Sequence, residues 1–251
     1  MLTKDVIDDG SYLGKICDML HMVESSEMPG IDAAAKLAYA SIRQGGLLHV
    51  FSTGHSHMIV EEMFYRAGGL IPVNPILDNS LMLHEGAITS TNNERLSGKA
   101  ESILKDVDLR EGDTILISSN TGINAVPIEA ALYARKKGLH VVCVTSLAAS
   151  EKLASRYVDG RKLYDVSDIV IDNHAPLGDG VMRVPTSGQI TGGSSTFSSL
   201  FIAQRIVLKI ENLYLADGLE PPIYMSANIP GGDTYNAEAV LQYMGRIKAL
   251  R

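Results

Sequence analysis

Apolar positions along this chain follow two different periods. Short continuous runs occur at residues 47–51, 70–73, 113–117, 140–144 and 168–171. Each is leucine-rich or β-branched and does not alternate with polar residues, the pattern of a strand buried on both faces. Elsewhere the period lengthens. Residues 11–25 place Leu13, Ile16, Leu20 and Val23 at helical spacing, and the alanine-rich residues 31–44 stop at Gly45-Gly46. The clearest helix is 124–137, with Asn124 as its cap, Pro127 in the first turn, Arg135, Lys136 and Lys137 in the last, and Gly138 as the stop. A longer helix is expected at 194–215 and a short one near 238–247. Five strands alternating with helices predict an α/β protein whose parallel sheet is covered on both faces, with ligands at the carboxyl edge of the strands.

We read one domain over 1–251: a helical extension at 1–46, an α/β core at 47–215 and a tail at 216–251. Two segments break the alternation. Residues 74–97 are polar, include His84, Glu85, Asn92, Asn93, Glu94 and Arg95, and leave the second strand at the ligand edge. They can serve as a wall or lid, or as a plain solvated connection. The tail carries Pro221-Pro222 and Asn228-Ile229-Pro230-Gly231-Gly232-Asp233 and is a candidate for packing on a neighbouring subunit.

Two strand ends carry the chemistry. Phe51-Ser52-Thr53-Gly54-His55-Ser56 and Ile117-Ser118-Ser119-Asn120-Thr121-Gly122-Ile123-Asn124 each turn an apolar run into small hydroxyl and amide residues around a glycine, just before a helix. A glycine lets the backbone approach a ligand, and the first N–H groups of a helix have no partner within it. With the helix dipole and the hydroxyls added, the natural occupant is phosphate. Gly54, His55, Ser56, Ser118, Ser119, Asn120, Thr121, Gly122 and Asn124 are therefore the predicted ligand-binding residues. Ordinary turns explain one such strand end well, but two at equivalent positions poorly.

Composition narrows the ligand. The net charge is −7 and there is no Lys/Arg cluster, so nucleic acid is not an expected partner. Cys17 and Cys143 are too few and too far apart for a disulfide framework and read as inert core thiols in a reducing compartment. No run reaches the roughly 18 apolar residues of a membrane helix, and no signal-peptide pattern opens the chain, so we expect a cytoplasmic protein. His55, His57 and Glu61 invite a metal reading, but a cation beside a helix N-terminus opposes the dipole, and we expect neither metal nor cofactor.

The run Ser119-Asn120-Thr121-Gly122-Ile123-Asn124 resembles the phosphosugar signature of the sugar isomerase (SIS) domain family, with Thr121 keeping the hydroxyl of that signature's second serine. Ser52-Thr53-Gly54-His55-Ser56-His57 with Glu61-Glu62 resembles the family's first turn and following helix. The similarity extends to Met225-Ser226-Ala227-Asn228 and is narrowest with a branch labelled phosphoheptose isomerase. It implies a flavodoxin-like three-layer sandwich with a five-stranded sheet, a phosphorylated sugar as ligand, and active sites shared across subunit interfaces in a homodimer or homotetramer.

Aldose–ketose isomerisation needs a base that moves a proton between adjacent carbons and a partner for the oxygen protons. Glu61 and Glu62 follow Ser56 by about 8–9 Å of helix, but neighbours on a helix diverge by about 100° and cannot both face one site. In the isomerase relatives the base on this helix sits where this chain has Arg66. Their histidine on the later long helix is also missing here; Gln204 and Arg205 are the interior polar residues of 194–215. Glu94 is a reserve base, His55 is expected to face the ligand, and His174, after the strand at 168–171, is a candidate or an ordinary loop histidine. The expected activity is sugar-phosphate isomerisation, with an etherase-like lyase or a non-catalytic phosphosugar sensor as alternatives. The first 44 residues are too short and acidic for the basic helix-turn-helix of regulators in the family.

Overall fold

The structure is a computed structural model that describes residues 6–251. Two helices, α1 (Tyr12–Ser26) and α2 (Met28–Arg43), precede β1 (Leu48–Ser52). There follow α3 (Met58–Met63), β2 (Val73–Ile76), α4 (Ala87–Asn93), α5 (Lys99–Leu104), β3 (Thr114–Ser118), α6 (Ala125–Lys136), β4 (His140–Thr145), α7 (Leu147–Lys152) and β5 (Ile169–Asp172). A hairpin of β6 (Gly180–Arg183) and β7 (Ile190–Gly193) leads into the long α8 (Ser195–Ala216), and α9 (Gly232–Tyr243) lies in the tail.

The sheet is parallel throughout, in the order β2-β1-β3-β4-β5. This is the flavodoxin-like α/β architecture, in which the chain reverses its direction of travel across the sheet between β1 and β3. Alternation along each strand divides the core. Leu48, Val50, Leu116, Val142 and Val144 meet α2, α3 and α8 through Ile31, Ala35, Ile59, Met63, Ile202 and Ile206. Phe51, Ile115, Ile117, Val141 and Cys143 meet α5 and α6 through Leu104, Val126, Ala130 and Ala134 on the other face. Burying each large side chain contributes about 1.5–3 kcal/mol, so the three layers fix the strand ends firmly. Burial pushes the Cys143 thiol up to about 12, in keeping with an inert core group, whereas Cys17 is half-buried.

The apolar run at 70–73 is only partly strand. Leu70 bridges antiparallel to Ile223, the Ile71 N–H donates to the Pro222 carbonyl, and Gly68 and Gly69 pair with Tyr224, so the pairing into the sheet starts at Val73. Pro75 is tolerated within β2 because β2 is an edge strand. The tail that the sequence offered to a neighbouring subunit packs here on its own chain. Its helix begins at Gly232, behind Gly231 in the left-handed region, earlier than the expected 238–247.

Candidate functional site

In an open parallel sheet, ligands bind beyond the carboxyl ends of the strands, at the point where the strand order reverses. Here that point lies between β1 and β3, which are paired through Ser52 and Ser118. Both glycine-centred turns leave the sheet there. Gly54 has φ +55° and Gly122 φ +63°, left-handed values that glycine adopts without strain. The Ser52 hydroxyl donates to the Ser118 carbonyl at 2.6 Å, tying one strand end to the other.

The second turn is held from all sides. Ser119 Oγ accepts from the Gly122 N–H at 3.3 Å, and Thr145 Oγ1 donates to the Ser119 carbonyl at 2.8 Å. The Leu163 N–H reaches the Gly122 carbonyl and the Ser146 N–H reaches the Asn120 carbonyl, at 2.8 and 2.9 Å. Asn173, buried after β5, donates to Asn120 Oδ1 at 3.1 Å and to Ser199 Oγ of α8 at 3.3 Å. Asn124 sits at the N-cap of α6, as expected, but its side chain makes no capping bond. Its amide instead donates to Glu94 Oε1 at 2.7 Å, and its oxygen accepts from Arg156 at 2.8 Å.

A cavity of about 140 Å³ lies between these turns and the start of α8. Of the predicted ligand-binding residues, His55, Ser56, Ser118 and Asn120 line it; Met58, Ile59, Asp179, Ser195, Thr196, Ser199 and Leu200 complete the wall. Ser119, Gly122 and Asn124 are buried behind that surface, and Thr121 is half-buried. Four wall residues, Ser195, Thr196, Ser199 and Leu200, come from the first two turns of α8, a contribution the sequence reading lacked. The run Gly192-Gly193-Ser194-Ser195-Thr196 at the helix start was the available signal.

The four candidate catalytic residues do not line this cavity. Glu61 is exposed on α3. Glu62 is half-buried, bonded to Arg66 one turn on, and accepts from Gln204 Nε2 at 2.7 Å. His174, at φ +56°, is engaged by Ser26 Oγ at 2.9 Å and Glu27 Oε1 at 3.2 Å, which places it against the junction of α1 and α2. Glu94 lies closest to the turns. Its Oε2 accepts from Thr53 Oγ1 at 2.8 Å and its Oε1 from Asn124, so one carboxylate joins the two strand ends. Burial raises its pKa, with the Thr53 hydrogen bond and the charges of Arg95 and Arg156 pulling the other way. The segment 74–97 delivers this residue through α4, a short polar helix where an irregular connection was expected.

A doubly wound sheet with two hydroxyl-rich, glycine-centred turns over its switch point defines an α/β domain with its candidate ligand site at that edge. More narrowly, residues 11–146 match the SIS domain, and the chain belongs to that family. A UPF0309 protein of Geobacillus kaustophilus is 42% identical over 247 residues, covering 95% of each chain. Among solved structures, a phosphoheptose isomerase of Francisella tularensis superposes with a TM-score of 0.54 at 16% identity, over 84% of this chain and 100% of that one. The phosphoheptose isomerase of Neisseria gonorrhoeae gives 0.53 at 15% identity, over 81% and 96%. At such identities the likeness is one of fold.

Proposed function

We propose that this protein binds a phosphorylated sugar and interconverts its aldose and ketose forms. The hydroxyls and N–H groups of the turns at 54–56 and 118–124 hold the phosphate, and the sugar lies in the cavity that these turns share with α8. One observation carries the reading: Ser56, Ser118 and Asn120, from two strand ends whose turns each contain a left-handed glycine, line a single cavity. Hydroxyls and main-chain N–H groups suit phosphate there in a protein with no basic cluster. The fold shared with two phosphoheptose isomerases supports the same class of ligand.

For the reaction, a carboxylate removes the proton next to the carbonyl, an enediol forms, and the proton returns to the neighbouring carbon. Glu94 is the carboxylate best suited to this. It touches both turns, and its raised pKa brings proton uptake and release closer to neutrality. Each of its oxygens keeps a lone pair beyond the bond it already accepts. His55, exposed on the cavity wall, takes the proton exchange between the two sugar oxygens. Glu61, Glu62 and His174 rank behind Glu94 because they contact neither turn. Leu13 and Met22 of α1 and Phe197, Leu208 and Leu215 of α8 are exposed, which supports a homodimer or homotetramer.

The absence of all four candidate bases from the cavity wall favours a second reading, a sensor that binds without turnover. One experiment separates the two. The protein is screened by thermal shift against aldose, ketose and amino sugar phosphates, and the best ligand is followed by NMR in deuterated water. Exchange or conversion in the wild type that is lost in Glu94→Gln supports the isomerase, and tight binding without exchange supports the sensor. If free sugars shift melting and phosphosugars do not, the phosphate assignment is wrong.

A further inference from the structure

The start of a long helix is normally attractive to anions, because its N–H groups are unpaired and its dipole is positive there. In this structure α8, 22 residues long, opens directly onto the cavity, yet a carboxylate of the chain caps its N-terminus. Asp179 Oδ1 accepts from the N–H groups of Ser195 at 2.6 Å and Ser194 at 3.2 Å, and Ser194 Oγ donates to the Asp179 carbonyl at 2.6 Å. Among the described residues, Oδ2 accepts no hydrogen bond from the protein. Asp179 itself stands at φ +66°, a conformation most side chains avoid and Asp and Asn tolerate best. It lines the same cavity as Ser56, Ser118 and Asn120, together with Ser195, Thr196 and Ser199 of α8.

We propose that Asp179 is a specificity residue that selects sugar monophosphates with a neutral or cationic far end and rejects sugar acids and bisphosphates. The proposal rests on the phosphosugar reading above. Two walls of one small cavity then differ in sign of preference: the turns take the single phosphate, and the free Asp179 oxygen accepts from hydroxyl or ammonium groups. A second anion on the ligand would meet a fixed carboxylate in a partly desolvated space, where like charges repel strongly. The helix N-terminus offsets this less than a free one would, since Asp179 already takes the Ser194 and Ser195 N–H groups and its charge opposes the dipole.

The test compares ligands of one length. Binding of glucose 6-phosphate, glucosamine 6-phosphate and 6-phosphogluconate is measured by calorimetry on wild type, Asp179→Asn and Asp179→Gly. Asn keeps an oxygen for the Ser195 N–H and tolerates the left-handed backbone, while Gly relieves that backbone and removes the side chain. Wild type is expected to take the first two ligands at least tenfold more tightly than 6-phosphogluconate. Both variants are expected to narrow that ratio to threefold or less, mainly by gaining affinity for the acid. Equal wild-type affinity for all three, or a ratio unchanged in a folded variant, overturns the role of Asp179 and leaves phosphosugar binding standing. If no phosphosugar binds wild type, the underlying reading falls and this one falls with it.

Discussion

Gly122 and Gly54 share a left-handed backbone but not its surroundings, and that difference can be measured. A Cβ on Gly122 would lie 3.1 Å from Thr145 Oγ1 and 3.3 Å from Leu163 Cβ, whereas one on Gly54 would find only Glu94 Oε2 at 3.8 Å. Alanine at either position incurs backbone strain of about 1–3 kcal/mol. At 122 it also displaces the packed floor of the second turn, so Gly122→Ala should lower the melting temperature further than Gly54→Ala and weaken phosphosugar binding with it. Ser56→Ala, at a residue that lines the cavity, is expected to reduce phosphosugar affinity about tenfold, by removing one hydrogen bond to a charged group worth about 1.5–3 kcal/mol, with little change in melting. Glu94 yields a different signature. Because burial raises its pKa, its contribution to stability is present at low pH and lost as pH rises through the folded value. At neutral pH the ionised carboxylate therefore weighs against the fold. Glu94→Gln should melt no lower than wild type at pH 7 while abolishing exchange, and the acid limb of the wild-type rate should lie above the ordinary carboxylate range.

Strands buried on both faces announce themselves by composition, which is why β1, β3, β4 and β5 were legible to within a residue or two. The second strand was misplaced because an apolar run pairs equally well with a sheet or with a tail, and residues 68–71 bond to Pro222 and Tyr224. The β6–β7 hairpin left no trace in the pattern. Its residues are mostly half-buried or exposed, so no alternation is imposed on them, and its turn-forming residues resemble any loop. The two glycine-centred turns were legible because they are local in sequence. What completes the cavity is not local: Asp179 and Ser199 reach it only through the hairpin and the packing of α8. Asn173 is the link between these parts, joining Asn120 of the second turn to Ser199. Asn173→Ala should cost about 1–3 kcal/mol from the buried polar groups it orphans. It should also weaken phosphosugar affinity more than Asn93→Ala, whose amide caps only the Ser80 carbonyl.

At the scale of the whole molecule, the sheet's amino edge is closed by a residue near the far end of the chain. Asp113 is buried below β3 and accepts from the Leu47 N–H at 2.9 Å, His49 Nε2 at 2.9 Å, the Arg110 N–H at 3.0 Å and Arg246 at 2.7 Å. Asn74 of β2 donates to the other nitrogen of His49 at 2.9 Å, which fixes that ring to donate toward Asp113. Arg246 extends the network to Asp108 Oδ2 at 3.1 Å and the Gly45 carbonyl at 3.0 Å, so one guanidinium joins the tail, the end of α2 and the approach to β3. Burial alone would raise the Asp113 pKa, but the bonds from His49 and Leu47 outweigh it and hold the carboxyl at about 2. A group lowered in the fold contributes stability above its unfolded pKa and loses it as pH falls through the folded one. Asp113 should therefore add about 2 kcal/mol at neutral pH, and that increment should disappear as pH falls from 3.8 toward 2. Arg246→Ala removes one compensating charge from a carboxylate that stays buried, a loss of about 2–4 kcal/mol. Urea unfolding at pH 7 should show that loss. Equal midpoints for wild type and variant at pH 7 would mean that the tail lies on the sheet without holding it.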